Sequence, residues 1–363
     1  MSTPAKKIVI AAGGTGGHVF PAQALARQLE EKGYTVLFMG KGLSTNRYFS
    51  RDLFASVSID SATPFQKGLF QKLFSFVCLG KGIFQAFRKI REFKPDLVVG
   101  FGSFHAFPVL AAGALCKIPM TLFESNSVPG KVNRIFSRYS LFCGVQFPEA
   151  KKWLKGTCHE VKMPFWKEKQ KQEGKKEASE YFSLETDLFT VLVFGGSQGA
   201  AFINPIIAET LAQFHAEHRP IQVIHMTGSE ASSEMIQKCY QVGSLRSCVK
   251  PFEKNMHLAW SHADLVICRA GAATISEMIE FEVPAIFIPY PAAADEHQLK
   301  NALFLSEEVK GSLCLEEKKL TRNALLSLLK TCNVEEMKSS VREFKERKQN
   351  RQLLDHIEEV LKK

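Results

Sequence analysis

Short apolar runs separated by helix-like stretches recur along the whole chain, and most of them show no polar alternation. In the first half they are Lys7–Ala12, Thr35–Met39, Asp96–Val99, Pro119–Glu124 and Ser140–Val145. In the second half they are Phe189–Phe194, Gln222–Thr227, Leu265–Cys268 and Ala285–Pro289. A strand with one wet face alternates, whereas a strand buried on both faces reads as unbroken Val, Ile, Leu and Phe. The pattern predicts parallel sheets covered by helices and built from βαβ units. At 363 residues the chain is long enough for two such domains. The polar run Lys167–Glu177 cannot bury a face and marks a boundary or an exposed loop. From about Val334 to Lys363 the pattern is amphipathic helix with no strand.

Two of the apolar runs lead straight into glycine-rich turns. The first is Gly13-Gly14-Thr15-Gly16-Gly17-His18, and the second is Gly195-Gly196-Ser197-Gln198-Gly199-Ala200. A strand, a glycine turn and a helix in that order present backbone N–H groups to phosphate or to a sugar nucleotide. One turn in each half suggests two Rossmann-like domains facing one cleft. The dinucleotide fingerprint fails, because counting from Gly14 its third glycine falls on Val19 and the second strand ends in Gly40-Lys41 rather than an acid. No P-loop motif is present either. His18 is a candidate base at the start of a helix, or it caps that helix. Ser197 and Gln198 are neutral donors suited to phosphate oxygens, or parts of a bare strand-to-helix turn.

A third constellation, Arg269-Ala270-Gly271-Ala272-Ala273-Thr274-Ile275-Ser276-Glu277, follows another strand. Its small residues open a helix with free N–H groups, and Glu277 lies about one turn in, where a carboxylate can bond ribose or sugar hydroxyls or simply face the helix dipole. After a proline-rich loop, Asp295, Gln298 and Asn301 recur at helical spacing, and an amide such as Gln298 both donates to and accepts from hydroxyls. No D-x-D occurs, so no carboxylate pair stands ready for a divalent cation. No metal and no cofactor are expected, and a departing diphosphate would rely on helix N-termini.

The net charge of +10 is uneven. Residues 1–165 carry 22 Lys and Arg against 9 Asp and Glu, while the remainder carries 25 against 28. A basic half suggests an anionic surface or polymer as partner, or only added solubility. Within it, Phe65–Pro95 holds seven Phe and seven Lys or Arg against the single acid Glu92. Phe70, Leu73, Phe74 and Val77 fall at helical spacing, as do Ile83, Phe87 and Ile90. Such a helix suits an anionic bilayer surface, and a Phe-rich core helix is the alternative. Residues 97–116 lack charge over a membrane-spanning length, but Gly100, Gly102, Pro108 and Gly113 interrupt them. A buried strand, a tight loop and a buried helix from Phe107 to Leu115 fit better. Nine unpatterned cysteines suit a reducing compartment, and no secretory leader is expected at the N-terminus.

Together the segments GGTGGHVFPAQALA, GFGSF, ESNSVPGKVNR, GGSQGA, RAGAATISE and PYPAAADEHQLKNA closely resemble the MurG family, in family order from residue 13 to residue 302. These are bacterial UDP-N-acetylglucosamine:N-acetylmuramyl-(pentapeptide) pyrophosphoryl-undecaprenol N-acetylglucosamine transferases. The resemblance implies a metal-independent inverting glycosyltransferase of GT-B architecture. It would convert lipid I to lipid II in peptidoglycan biosynthesis, at the inner face of the cytoplasmic membrane. It implies an acceptor- and membrane-facing domain over residues 1–164 and a UDP-sugar domain over 165–340, followed by a C-terminal helix over 341–363 whose packing, back on the first domain or not, the sequence does not decide. Partners would be UDP-N-acetylglucosamine, the lipid-linked muramyl pentapeptide, an anionic membrane and cell-wall synthesis or division proteins, with no nucleic acid.

Carried over by position, Thr15, Gly16 and Gly17 would line the donor diphosphate or the acceptor pyrophosphate, and His18 would be a candidate base or orienting group for the acceptor hydroxyl, with Glu124 and Asp295 as further base candidates. Asn126 would contact the donor, and Ser197 its phosphate. Phe252 and the backbone of Glu253 would bracket the uracil. Ala272, Ala273, Thr274, Ile275 and Ser276 would supply backbone donors, with Glu277 on the ribose and Gln298 on the sugar. The chain departs from the family in three places. Phe123-Glu124-Ser125-Asn126 replaces His-Glu-Gln-Asn, Phe104 replaces a tyrosine, and Met163-Pro164-Phe165-Trp166 replaces Asn-Pro-x-Arg. The last removes an arginine for which Lys162 or Lys167 would substitute. A UDP-sugar 2-epimerase and a non-catalytic membrane adaptor with a nucleotide-sugar pocket are the alternative readings.

Overall fold

The computed structural model describes residues 5–65, 68–165, 174–195, 201–347 and 352–362. The chain forms two α/β units, residues 1–167 with 350–363, and residues 168–349. Unit one runs β1 (Lys7–Ala11), α1 (Gly16–Glu31), β2 (Thr35–Gly40), β3 (Ser56–Ser58), α2 (Leu69–Phe93), β4 (Leu97–Gly100), α3 (Phe107–Leu115), β5 (Met120–Glu124), α4 (Lys131–Phe136), β6 (Phe142–Val145) and β7 (Cys158–Glu160). Unit two begins with α5 (Gly174–Phe182), β8 (Thr190–Phe194), α6 (Ile203–Glu217), β9 (Gln222–Met226), α7 (Glu230–Val242), β10 (Arg246–Lys250) and α8 (Met256–His262). It continues with β11 (Leu265–Cys268), α9 (Ala272–Phe281), β12 (Ala285–Phe287), α10 (His297–Leu303), β13 (Ser312–Cys314), α11 (Arg322–Thr331) and α12 (Val334–Arg347). The last helix, α13 (Leu353–Lys362), belongs to unit one.

Every strand pair is parallel, in the order β3-β2-β1-β4-β5-β6-β7 in one sheet and β10-β9-β8-β11-β12-β13 in the other. The strand order therefore reverses between β1 and β4, and again between β8 and β11. In open parallel sheets such a reversal leaves a crevice beyond the carboxyl ends of the strands. Both glycine turns follow the first strand of their reversal. The two units also start these strands in the same way. Asp96 Oδ2 accepts the Lys7 N–H at 2.7 Å just ahead of β4, and Asp264 Oδ2 accepts the Thr190 N–H at 2.8 Å just ahead of β11.

All nine apolar runs form strands. The four strands that the sequence does not predict, β3, β7, β10 and β13, are the four sheet edges. An edge strand is covered less, so it needs no continuous apolar run: β10 is Arg-Ser-Cys-Val-Lys and none of it is fully buried. The interior strands are buried throughout apart from Lys7, Thr35 and the half-buried Leu37, and one core cluster in each unit packs around them.

Helix α2 separates two faces. Ser75, Leu79, Gly82, Ala86 and Ile90 form the buried one. Small residues there allow close approach, and a Cβ on Gly82 would overlap the Asp60 carbonyl oxygen. Phe70, Leu73, Phe74, Val77 and Phe84 lie outside that face, each at least 62% exposed. The uncharged stretch 97–116 forms β4, a loop and α3, and among the described residues no helix is long and apolar enough to cross a membrane.

Two sequence expectations change in detail. Of the polar run Lys167–Glu177, residues 174–177 begin α5, and the rest lie outside the described residues. The C-terminal helical stretch is two helices rather than one, because α12 stays with unit two and α13 docks on unit one. There Lys162 bridges Gln352, Lys6 Nζ donates to the Leu361 carbonyl, and the His356 ring stacks on His159 at 4.2 Å.

Candidate active site

In unit one the end of β1 turns through Gly13 and Gly14, the latter at φ +88°, a conformation that favours glycine. The turn lies flat against the loop that follows β4. A Cβ on Gly13 would come within 2.8 Å of His105 Cβ, and one on Gly14 within 3.1 Å of His105 Nδ1. Thr15 is the N-cap of α1, and its carbonyl accepts the N–H groups of His18 and Val19 at 3.1 and 3.2 Å. Gly16 and Gly17 are the first residues of the helix, where backbone N–H groups have no partner within it. No acidic side chain stands in that first turn, so the helix end is electrically open to an anion.

His18 lies in the same turn, and its Nδ1 is 2.8 Å from the carbonyl oxygen of Phe101. A carbonyl only accepts, so in the neutral ring Nδ1 carries the proton and Nε2 carries the lone pair. That is the tautomer a general base needs. Phe101 directly follows β4, so the orientation of His18 depends on the β1–β4 neighbourhood.

The loop after β4 holds a second histidine, His105. Ser103, at φ +65°, brings its Oγ within 2.8 Å of His105 Nδ1. The His105 carbonyl accepts the Lys41 N–H at 3.1 Å, which ties the loop to the end of β2. Burial, then the Lys41 charge, then His18 hold the His105 pKa below its usual value. Ser103 and His105 were visible as polar residues inside an apolar stretch, but nothing in the sequence placed them under the first glycine turn. A groove of about 500 Å³ opens beside them, lined by Lys41, Phe70, Phe74, Phe104 and His105 among others. Phe104 packs between Phe65 and Phe107.

Glu124 ends β5 and is 4% exposed. Its Oε1 accepts the Asn126 N–H at 3.0 Å, and its Oε2 accepts the Gly130 N–H at 3.0 Å and Asn133 Nδ2 at 2.9 Å. Burial raises its pKa, and these bonds offset part of the rise. Asn126 Nδ2 turns back toward Glu124 Oε1 at 3.4 Å and Ser125 Oγ at 3.3 Å. The carboxylate thus organises residues 125–130, and Asn133, absent from the sequence-derived candidates, completes the arrangement.

In unit two, Ser197 and the rest of the second glycine turn from Gly196 to Ala200 lie outside the described residues. The strand before that turn, β8, ends at Phe194. Its neighbour β11 leads through Gly271, the N-cap, into α9, so Ala272, Ala273 and Thr274 form the first turn of a helix with no acid in it. Ser276 Oγ back-bonds to the Ala272 carbonyl at 3.1 Å, and Ile275 is buried. Glu277 follows on the same helix, and its Oε2 accepts Trp260 Nε1 at 3.1 Å. Burial pushes the Glu277 pKa up to about 7 against the downward pull of that bond. No sequence signal pointed to Trp260.

Gln298 stands in the first turn of α10, where its Oε1 accepts the Tyr290 N–H at 3.0 Å. The amide is thereby oriented with Nε2 as its donor end. Just before it, Asp295 and Glu296 both adopt left-handed backbone at φ +51° and +55°, a strained pair at the mouth of the helix. Two side chains tie this loop to the RAGAATISE segment. Asn301 Nδ2 donates to the Ala270 carbonyl at 3.3 Å. Buried Arg269 donates to the carbonyls of Ile288 and Pro289 and pairs with Glu317 at 2.6 Å. Phe252 and Glu253 follow β10 instead. Phe252 is 70% exposed. The Glu253 side chain is buried, accepting from Lys250, Asn255 N–H and Tyr181 OH, and these bonds outweigh burial and lower its pKa. Among the described residues no three His, Cys, Asp or Glu side chains group as metal ligands.

Comparison with known proteins supports one family. Residues 8–141 match the glycosyltransferase family 28 N-terminal domain and residues 190–360 match the glycosyltransferase family 28 C-terminal domain. The chain is 43% identical over 347 residues to the UDP-N-acetylglucosamine--N-acetylmuramyl-(pentapeptide) pyrophosphoryl-undecaprenol N-acetylglucosamine transferase of Protochlamydia amoebophila (strain UWE25), covering 94% of this chain and 92% of the relative. It is 35% identical over 329 residues to the enzyme of the same name from Chlamydia pneumoniae, covering 88% of each. Among solved structures it is similar to Acinetobacter baumannii MurG, with a TM-score of 0.77 at 28% identity over 99% of this chain and 100% of that one. With its two parallel-sheet units of GT-B architecture, the chain belongs to the family of UDP-N-acetylglucosamine--N-acetylmuramyl-(pentapeptide) pyrophosphoryl-undecaprenol N-acetylglucosamine transferases.

Proposed function

We propose that this enzyme moves N-acetylglucosamine from UDP to a hydroxyl of a lipid-linked muramyl pentapeptide, with His18 as general base. The observation that carries the role of His18 is its bond to the Phe101 carbonyl, which fixes the basic nitrogen as Nε2. The acceptor hydroxyl gives its proton to Nε2 as its oxygen attacks the anomeric carbon, and UDP leaves from the opposite face, inverting the centre. The N–H groups of Gly16 and Gly17 suit the acceptor's diphosphate, with Thr15 beside them. Unit two holds the donor, with the ribose on Glu277, the sugar on Gln298 and the uracil near Phe252 and the Glu253 backbone. The departing diphosphate is stabilised by N–H groups at the start of α9 and by Ser197 rather than by a metal. Full turnover in EDTA is the expected result.

Unit one rests on the cytoplasmic face of the membrane through α2. The exposed Phe70, Leu73, Phe74, Val77 and Phe84, with Lys72 and Lys81 exposed on the same helix, support this. A chain built this way needs no membrane-spanning helix to reach a lipid substrate. Cell-wall synthesis or division proteins are fitting neighbours there.

The test supplies labelled UDP-N-acetylglucosamine with and without a lipid-linked muramyl acceptor. Label should pass into lipid only when the acceptor is present. Label in an epimeric sugar would support an epimerase instead, and binding without turnover of either kind would leave a nucleotide-sugar-binding adaptor.

A further inference from the structure

Glu277 is oriented by a residue that none of the sequence motifs contains. Trp260, on α8, is 1% exposed, and its indole N–H points at Glu277 Oε2 across 3.1 Å. The ring is held from two further sides. It stacks on Phe281, the last residue of α9, at 6.2 Å and 13°, and meets Phe194, the last residue of β8, edge-on at 5.7 Å. One side chain therefore touches both the strand that enters the second glycine turn and the helix that carries the carboxylate. An indole can only donate, so it commits one oxygen of Glu277 and fixes the plane in which the other is presented. A half-buried carboxylate without such a partner would be free to rotate or to take up a proton.

We propose that Trp260 is a positioning residue for the donor nucleotide, holding the Glu277 carboxylate in the orientation that receives the ribose hydroxyls. This rests on the reading that Glu277 meets the ribose. Trp260 itself does not touch the nucleotide. It acts through the carboxylate, so its removal should be felt most by ligands that offer the carboxylate both ribose hydroxyls, and less by one that keeps only the 3′-hydroxyl.

Calorimetry with the full-length protein, using UDP and 2′-deoxy-UDP between pH 6 and pH 9, tests this. Trp260→Phe keeps an aromatic ring for Phe281 and Phe194 but loses the N–H. It should weaken UDP about tenfold, as for a lost hydrogen bond to a charged group. It should affect 2′-deoxy-UDP much less and move the pH midpoint of UDP binding upward. In turnover, KM for the donor should rise more than kcat falls. Phe281→Leu removes the stack and keeps the N–H, so it should lower the melting temperature without changing the ratio of the two affinities. Equal weakening of both nucleotides by Trp260→Phe, an unmoved pH midpoint, or the same change of ratio in Phe281→Leu would reduce Trp260 to packing and overturn the proposal. Glu277→Gln separates the two levels. If it binds both nucleotides like the wild type, the ribose assignment itself fails, whatever Trp260 does.

Discussion

His18 donates from Nδ1 to the carbonyl of Phe101, 2.8 Å away, so a side chain at the head of α1 is set by the backbone that leaves β4. The two residues are 83 positions apart and meet because β1 and β4 are neighbours at the strand-order reversal. His18→Ala should lower kcat by about a hundred- to ten-thousand-fold, the usual contribution of a general base. The acidic limb of the rate profile should vanish with it, since a base must be deprotonated to act. Transfer assays across pH check both. Unchanged turnover with an unchanged profile would remove His18 from the mechanism.

Glu124 has the opposite character, because its carboxylate oxygens already accept backbone and Asn133 donors. Glutamine offers one acceptor and turns an NH2 group toward those donors. Glu124→Gln should cost about 1–3 kcal/mol of stability and reduce turnover by displacing residues 125–130. Thermal melts beside kinetics decide the role. A stable variant with abolished turnover would instead make Glu124 a base.

With Glu277 in its proposed role on the ribose, its pKa, raised to about 7, predicts a pH dependence of donor binding of defined sign. Ribose hydroxyls donate best to an ionised carboxylate, so UDP affinity should increase as pH rises through about 7 and level off above it. Stability runs the other way. The folded state holds a proton that the unfolded chain, near the ordinary value of 4.5, has released, so stability falls as pH climbs from about 4.5 to about 7. In Glu277→Gln both slopes should flatten, as calorimetry and pH-dependent denaturation can show.

Two glycines of α2 should respond in opposite directions. Gly80 has nothing within 4 Å of a new Cβ, so Gly80→Ala should stabilise by about 0.5–1 kcal/mol through the entropy of the unfolded chain. Gly82 faces the Asp60 carbonyl and Pro108, so Gly82→Ala should cost about 1–3 kcal/mol. Urea denaturation of the pair measures both, and equal effects would mean that α2 does not dock along its small-residue face.

Phe70 and Phe74 are 89% and 68% exposed. Phe70→Asp and Phe74→Asp should leave stability within about 0.5 kcal/mol. They should abolish flotation with anionic vesicles while sparing UDP binding. Retained flotation would move the membrane contact elsewhere.

The sequence by itself determined the interior of both sheets. A strand buried on both faces must be apolar throughout, and Ile8-Val9-Ile10 or Val191-Leu192-Val193 can be little else. It also marked where backbone must approach closely, and at Gly13-Gly14 what approaches is the His105 side chain. The edge strands escaped because half-exposed backbone pairing places little demand on residue type. Candidate residues stood out in the sequence wherever glycine or spacing marked them, as at His18, Glu277 and Gln298. The tertiary structure alone decided what those residues lean on. Phe101 behind His18 and His105 beneath the glycine turn come from the loop after β4, Asn133 on Glu124 from α4, and Trp260 on Glu277 from α8. Such partners are chosen by the order of strands in the sheet, and that order comes from packing the whole chain rather than from any local run of residues.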